Sequence, residues 1–197
     1  MKQQLKIWEL SLLFALCFTL CTGLIARAQQ RQLSTELIRL HVVANSDSSE
    51  DQAIKLQVRD AVLKQLEPAL SGLENTEAAG KIISSDFDEI RKTAGSILQK
   101  NGKSPKVRVS LTTEAFSTRS YGSFSLPAGD YLSLRIVLGE GSGKNWWCVV
   151  FPPLCSTAAE AETFEQLSPG SKDLISGQYK LKFHILELFR QIRSSLS

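Results

Sequence analysis

The sequence predicts an α/β or α+β fold, with a single mixed sheet of about four strands and helices packed against it, after an N-terminal signal segment. Three observations predict this fold. Short runs rich in Val, Ile and Leu recur along the chain, stretches with helical spacing of apolar residues separate some of them, and one uncharged apolar run stands at the start. The predicted order is strand, helix, helix, strand, strand, strand, helix, which is typical of helices layered on one sheet.

The first 28 residues are distinct from the rest. MKQQLK is basic, no charged residue occurs from Leu10 to Ala26, and Ala26-Arg27-Ala28 has the small-x-small pattern that signal peptidases cut. We interpret residues 1–28 as a signal peptide or a membrane anchor, because an apolar run of about 17 residues is at the short limit for a bilayer span. Both interpretations export residues 29–197, which we expect to form the folded domain.

The first half of this domain predicts one strand and two helical regions. Residues 29–36 look like a short polar lead, and LIRLHVVA, residues 37–44, predicts a buried strand. Capping residues in NSDSSEDQ start a helix that should end near residues 68–72. A second helical pattern begins near residue 75 and runs to residue 98, and Gly80 and Gly95 allow it to be two helices.

The second half predicts three strands and a final helix. Residues 106–116 alternate apolar and polar side chains, as a half-buried strand does. The polar stretch STRSYGSFS follows, and residues 127–130 predict a turn. Residues 131–138 and 145–151 then predict two strands joined by a glycine-rich hairpin turn. Residues 156–170 look like a surface segment, and residues 174–196 predict a helix with one apolar face.

The charge balance argues against a nucleic-acid-binding protein. Without residues 1–28 the chain keeps 20 basic and 19 acidic residues, a net charge of +1. Nonspecific affinity for nucleic acid needs many uncompensated cations. There is also no dense Lys/Arg run, so we expect contact with a membrane only through the signal segment.

Two cysteines remain outside the signal segment, Cys148 and Cys155. A lone pair in an exported domain tends to form a disulfide in an oxidising compartment. Their spacing is not the C-x-x-C of redox enzymes, and two prolines between them allow the chain to bend back. We therefore expect a structural disulfide, with unpaired buried thiols as the alternative.

The stretch LGEGSGKNWWCVVF, residues 138–151, resembles a phosphate-binding loop only superficially. A P-loop requires G-x-x-x-x-G-K-[ST] between a strand and a helix, but Leu138 occupies the first glycine position and Asn145 follows Lys144. Trp146 and Trp147 are neighbours in a strand and therefore face opposite sides of the sheet. One of them is a candidate anchor for a protein partner, and packing of both in the core is the alternative.

A second polar segment follows the first predicted strand. Asn45, Ser46 and Asp47 stand between a strand and a helix, a common position for binding. Helix capping and turn chemistry explain the same residues without a ligand. Arg59 and Asp60 on the following helix are either an ion-pair contact for a partner or solvated charge.

The sequence contains few catalytic or metal-binding patterns, and we expect neither enzyme activity nor a cofactor. The chain has two histidines, of which His41 fits a core histidine and His184 has no evident partner. No H-E-x-x-H, paired C-x-x-C or G-x-S-x-G motif occurs. The alternative is an exoplasmic cell-wall hydrolase or envelope enzyme that uses perturbed acids such as Asp47, Glu50 and Asp51. A structural envelope protein is a third possibility.

Two long segments resemble signatures of the stage II sporulation protein R family of endospore-forming bacteria. They are IRLHVVANSDSSEDQAIKLQVRDAVL, residues 38–63, and PAGDYLSLRIVLGEGSGKNWWCVVFPPLC, residues 127–155. The resemblance implies a protein made in the forespore and exported into the space between the two sporulation membranes. There it would activate a mother-cell membrane aspartic protease that processes the sigma-E precursor.

The family does not assign contacts to this protease residue by residue, so the expected partner-binding residues come from the two dense segments. We expect no nucleic acid and no small-molecule substrate as partners. The candidate contacts are His41, Asn45, Ser46, Asp47, Arg59, Asp60, Lys144, Asn145, Trp146 and Trp147.

Overall fold

The computed structural model describes residues 2–121, 124–152, 167 and 169–175. Cys155, nearly all of the predicted final helix and most of the predicted surface segment lie outside the described residues. In chain order, these residues form α1 (Lys2–Glu36), β1 (Ile38–Val43), α2 (Ser49–Leu70), α3 (Thr76–Ser85), α4 (Phe87–Lys100), β2 (Val107–Phe116), β3 (Arg119–Tyr121), β4 (Phe124–Leu126), β5 (Gly129–Leu138), β6 (Asn145–Phe151) and α5 (Pro169–Ile175).

The main sheet has four strands in the order β2-β5-β1-β6. β1 runs parallel to β5, while β6 pairs antiparallel with β1 and β2 pairs antiparallel with β5. The predicted mixed four-stranded sheet is therefore confirmed. The predicted hairpin between the last two strands is wrong, because β1 lies between β5 and β6 and the glycine loop crosses its end.

Helices α2, α3 and α4 cover one face of this sheet. The alternate residues Ile38, Leu40 and Val42 of β1 point into that layer and are fully buried. They pack with apolar residues of the helices and of the neighbouring strands: Ile54, Val58, Val62, Leu66, Ile83, Ile90, Ala94, Leu98, Leu134 and Ile136. This large core fixes β1 at the centre of the molecule.

The helix boundaries follow the capping residues. The Ser48 hydroxyl accepts from the Asp51 N–H at 3.1 Å and starts α2, which ends at Leu70 as predicted. The 76–98 region is two helices, but the break falls at Asp86 and at neither glycine. A Cβ on Gly80 would lie 3.7 Å from Leu111, an ordinary contact, so this glycine is not required by space.

The other face of the sheet carries a smaller core that the sequence patterns did not predict. We call it the second core, and its buried members are Leu33, Leu37, Phe116, Leu126, Tyr131, Val149, Leu167 and Ile175. Residues 29–36, predicted as a polar lead, are the end of α1, because Leu33 is fully buried there. The polar stretch 117–125 contains the short strands β3 and β4, and β5 begins inside the predicted turn, at Gly129.

Candidate functional site

The two polar segments singled out by the sequence meet at one end of β1. Val43 of β1 pairs with Asn145 of β6, so the chain leaving β1 lies beside the chain entering β6. The loop from Gly139 to Lys144 crosses this end and contacts residues 44–47 through hydrogen bonds. The sequence predicted both segments, and the register of β1 with β6 brings them together.

Asn45 is the centre of this contact. Its side-chain oxygen accepts from the Glu140 N–H at 3.0 Å, and its amide donates to Asp51 at 2.8 Å. Its backbone carbonyl accepts from the Ser142 N–H at 3.1 Å and from the Ser142 hydroxyl at 2.7 Å. The polar atoms of Asn45 therefore hold the glycine loop to the start of α2.

The neighbouring residues continue this network. The Lys144 N–H donates to Asp47 at 2.7 Å, and the Ser46 hydroxyl donates to Asp51 at 2.5 Å. Asp51 is 5% exposed, and hydrogen bonds from Ser46 and then Asn45 lower its pKa below the usual range. A carboxylate held ionised by hydrogen bonds suits a structural role better than proton transfer.

A buried lysine reinforces the loop from the helix side. The Lys55 ammonium group donates to the Gln52 side chain at 2.6 Å and to the Lys144 carbonyl at 3.0 Å. Lys55 is 4% exposed, and burial lowers its pKa. The glycine loop is thus bonded to α2 as well as to the end of β1.

His41 lies on the opposite face of the sheet from α2. One ring nitrogen, Nδ1, is 3.1 Å from Glu114, and Nε2 is 3.0 Å from Asn145. The ring stacks on Trp147 with 5.6 Å between centroids, and the guanidinium of Arg119 lies 4.0 Å from the centre of the Trp147 ring. Both ring nitrogens are engaged, so His41 joins β1, β2 and β6 as a core histidine.

Trp146 faces the other side of β6, as the alternation of a strand predicts. It is 36% exposed, and the Arg59 guanidinium lies 4.4 Å from the centre of its ring. Arg59 is also ion-paired with Asp60 at 2.7 Å. We call Arg59, Lys144 and Trp146 the Trp146 patch, since the Asn145 side chain lies on the opposite face, where it bonds His41.

The expected contact residues therefore divide into two groups. In the first group, Asn45 and Asp47 bond the glycine loop and Ser46 bonds Asp51. Trp147 and Asn145 belong to the same group, because both contact His41 between the strands. In the second group, Lys144 and Trp146 are exposed at the edge strand, beside the half-buried Arg59 and the exposed Asp60 of α2. This geometry does not show which of the expected residues contact a partner, so all ten remain predictions.

Sequence reasoning missed one charged residue, Arg39. It is fully buried, its guanidinium lies 4.1 Å from the centre of the Phe116 ring, and it bonds the Tyr121 hydroxyl. Two of its nitrogens, Nε and Nη1, lack a hydrogen-bond partner among the described residues, and burial lowers its pKa. A lone arginine inside the apolar run LIRLHVV was the signal that could have identified it.

The described residues contain no group of three or more His, Cys, Asp or Glu side chains that could hold a metal ion. Cys148 is buried, and Cys155 lies outside the described residues, so the predicted disulfide stays a prediction.

Comparison with known proteins agrees with the family resemblance of residues 38–63 and 127–155. The family model for stage II sporulation protein R matches residues 34–161, which include the glycine loop, β1 and the Trp146 patch. Stage II sporulation protein R of Bacillus subtilis (strain 168) is 41% identical over 120 residues, which cover 61% of this chain and 54% of the relative. The chain thus spans about half the length of this curated relative. No solved structure matches.

The matched residues carry the helical layer and the main sheet, together with the network around Asn45. The family model covers well over half of the 197 residues, and its description gives the chain a role in sporulation. This chain belongs to the stage II sporulation protein R family.

Proposed function

We propose that this chain is an exported sporulation signal that activates a membrane aspartic protease, the enzyme that processes the sigma-E precursor. The proposed location is the space between the forespore and mother-cell membranes, and α1 supplies the segment for export. α1 contains Lys6–Glu36, which is long and apolar enough to cross a membrane. The proposal also requires a surface through which the folded domain binds the protease.

The observation that carries the proposal is the Trp146 patch, held on a braced loop. Trp and Arg side chains are enriched among the residues that contribute most of the binding energy at protein interfaces. In this chain the Arg59 guanidinium stacks on the Trp146 ring beside the edge strand β6. The polar segment 44–47 and Lys55 fix the loop that leads into Trp146. A patch fixed in advance loses little conformational entropy when it binds, which favours affinity.

Activation requires that the patch bind the active protease better than the inactive one. A shift from 1:99 to 99:1 needs a difference of about 5.5 kcal/mol. One tryptophan or arginine contact supplies about 2–4 kcal/mol. The proposal therefore needs at least two such contacts that exist only in the active state, and Trp146 and Arg59 are the pair that this surface offers.

We also propose that Cys148 forms a disulfide with Cys155. Cys148 lies in β6, directly after the two tryptophans, and the free thiols among the described residues are those of Cys17 and Cys21. A link from β6 to the following segment would brace the strand that carries the patch. Mass measurement with and without reductant, after alkylation, tests this pairing.

Binding of the purified full chain to the protease in detergent tests the role of the patch. We expect Trp146→Ala to weaken binding by at least tenfold, because truncating a tryptophan anchor costs about 2 kcal/mol or more. Trp146→Phe keeps an aromatic face and should retain part of the affinity.

Lys92→Ala is the matched control, because Lys92 is exposed and is ion-paired with Glu89 one turn away on the same helix. It should bind like the wild type. Equal binding by Trp146→Ala and the wild type, at equal thermal stability, would remove the patch from the proposed interface.

A further inference from the structure

Helix α1 does not end where the apolar run ends. It runs without a break from Lys2 to Glu36, through the Ala26-Arg27-Ala28 pattern and eight residues beyond it. Residues 26–28 are exposed on this helix, while its last turns enter the second core. The possible cleavage site therefore lies inside one continuous helix that connects the apolar run to the domain.

The last turns of α1 are docked by several independent contacts. Leu33 and the following Leu37 are fully buried among Phe116, Tyr131 and Val149. The Gln30 side chain donates to the Ala128 carbonyl. The Thr76 hydroxyl donates to the Thr35 carbonyl at 2.7 Å, which connects the end of α1 to the start of α3.

Proteolysis at Ala28 conflicts with this docking. A protease generally binds its substrate as an extended strand, so residues around the scissile bond must leave the helix. In an α-helix the N–H groups of residues 29–32 donate to the carbonyls of residues 25–28. Unwinding the site removes the first turn from the docked part of α1 and loosens the segment that buries Leu33.

The undocked part of α1 has the dimensions of a membrane span. The residues from Ile7 to Ile25 are 19 in number and extend for about 28 Å, close to the thickness of about 30 Å of a bilayer core, and Glu9 in the first turn is the one charged residue among them. Their large apolar side chains are exposed, from 55% for Leu16 to 75% for Trp8. Lys6 lies before this run, and Arg27 and Arg31 follow it, where long cationic side chains can reach the headgroups.

We propose that α1 is retained as a membrane anchor whose last turns belong to the domain core, so that the domain stays at the membrane surface in one orientation. The occupant of the exposed apolar helix is the lipid bilayer. A groove of about 520 Å³ runs between residues 23–34 of α1 and Asp130, at the end of the apolar run, which in this orientation would place it near the headgroups. The inference does not rest on protease activation, because it concerns only the covalent and membrane state of this chain.

The test is the intact mass and the location of the full chain, produced in a bacterium with an active signal peptidase. We expect the mass of the uncleaved chain, and we expect it in the membrane fraction after an alkaline wash. A chain that begins at Gln29 and is found in the soluble exported fraction would overturn the proposal.

Three variants test whether the docking of α1 protects the site at Ala28 from cleavage. Leu33→Asp places a charge in the second core and should raise the cleaved fraction at Ala28 at least fivefold. Gln32→Asp, the matched control, adds the same charge on the exposed neighbouring position and should stay uncut. Leu33→Ala loosens the docking without a charge and should give an intermediate cleaved fraction if Leu33→Asp is degraded. Uncut Leu33→Ala and Leu33→Asp chains would show that docking does not protect the site.

Discussion

Replacement of Gly143 by alanine tests the hydrogen-bonded contact between the glycine loop, residues 139–144, and residues 44–47. A Cβ at this position would lie 2.5 Å from the Ser46 carbonyl carbon, closer still to its oxygen, and 3.0 Å from the Ala44 side chain. The obstacle is backbone, so no rotation of a side chain relieves it. The loop must move away from the end of β1 by about 1 Å to reach ordinary van der Waals contact.

The cost follows from the hydrogen bonds that such a movement breaks. The Gly143 N–H donates to the Ala44 carbonyl at 3.0 Å, the Ser142 N–H donates to the Asn45 carbonyl at 3.1 Å, and the Lys144 N–H donates to Asp47 at 2.7 Å. At about 0.5–1.5 kcal/mol for each of the three bonds, the loss is about 1.5–4.5 kcal/mol. For a domain of this size that corresponds to a fall in Tm of roughly 3–18 °C.

Denaturant unfolding of the detergent-solubilised full chain, followed by tryptophan fluorescence, measures this loss. Gly80→Ala is the control, because its Cβ meets only ordinary contacts inside α3. It should raise the free energy of unfolding by up to about 1 kcal/mol. A loss below about 1 kcal/mol for Gly143→Ala would refute the view that the two segments are locked at this point.

Three further predictions concern buried ionisable groups. Arg39→Met should leave the free energy of unfolding unchanged or raise it by up to about 2 kcal/mol, because it removes a buried cation with unpaired nitrogens while losing its contact with the Phe116 ring; a denaturant curve that shows a lower free energy of unfolding than the wild type would contradict this. The lowered pKa of Asp51 contributes stability that is present above pH about 4 and is lost as pH falls through the folded-state value, so Asp51→Asn should be less stable at pH 7 and have a flatter acid profile. Burial raises the pKa of Tyr131 to about 12, so its contribution is complete below pH about 10 and is lost between about 10 and 12; Tyr131→Phe should reduce the alkaline fall in unfolding free energy by about 2–3 kcal/mol.

The sequence was sufficient for elements whose signal is local. Helical spacing and capping residues predicted α2 and its end, and alternation predicted β2. The sequence was not sufficient for elements that depend on packing between residues far apart in the chain. Leu33 is a single large apolar residue in the polar stretch 29–36, and only the core on the second face shows why α1 continues to Glu36. The strands β3 and β4 have three residues each, too few for a pattern.

The candidate site shows the same division. The polar segments were evident, because dense polar residues after a strand and glycines before tryptophans are local features. The partners of His41 were not, since Glu114 is 73 residues away in sequence and Asn145 is 104 away. The insertion of β1 between β5 and β6 creates these contacts, and no periodicity in a single sequence specifies strand order.

We propose that this chain switches on a protease by binding it, and the rate of sigma-E precursor cleavage tests this proposal. The direct measurement places the protease and the full chain in separate nanodiscs, with the sigma-E precursor in solution, and follows the rate of precursor cleavage. We expect a saturable increase in the cleavage rate of at least tenfold with the wild-type chain, and a smaller increase at the same concentration of Trp146→Ala. A cleavage rate that is unchanged at every concentration of the wild-type chain, with a protease that is otherwise competent, would contradict it.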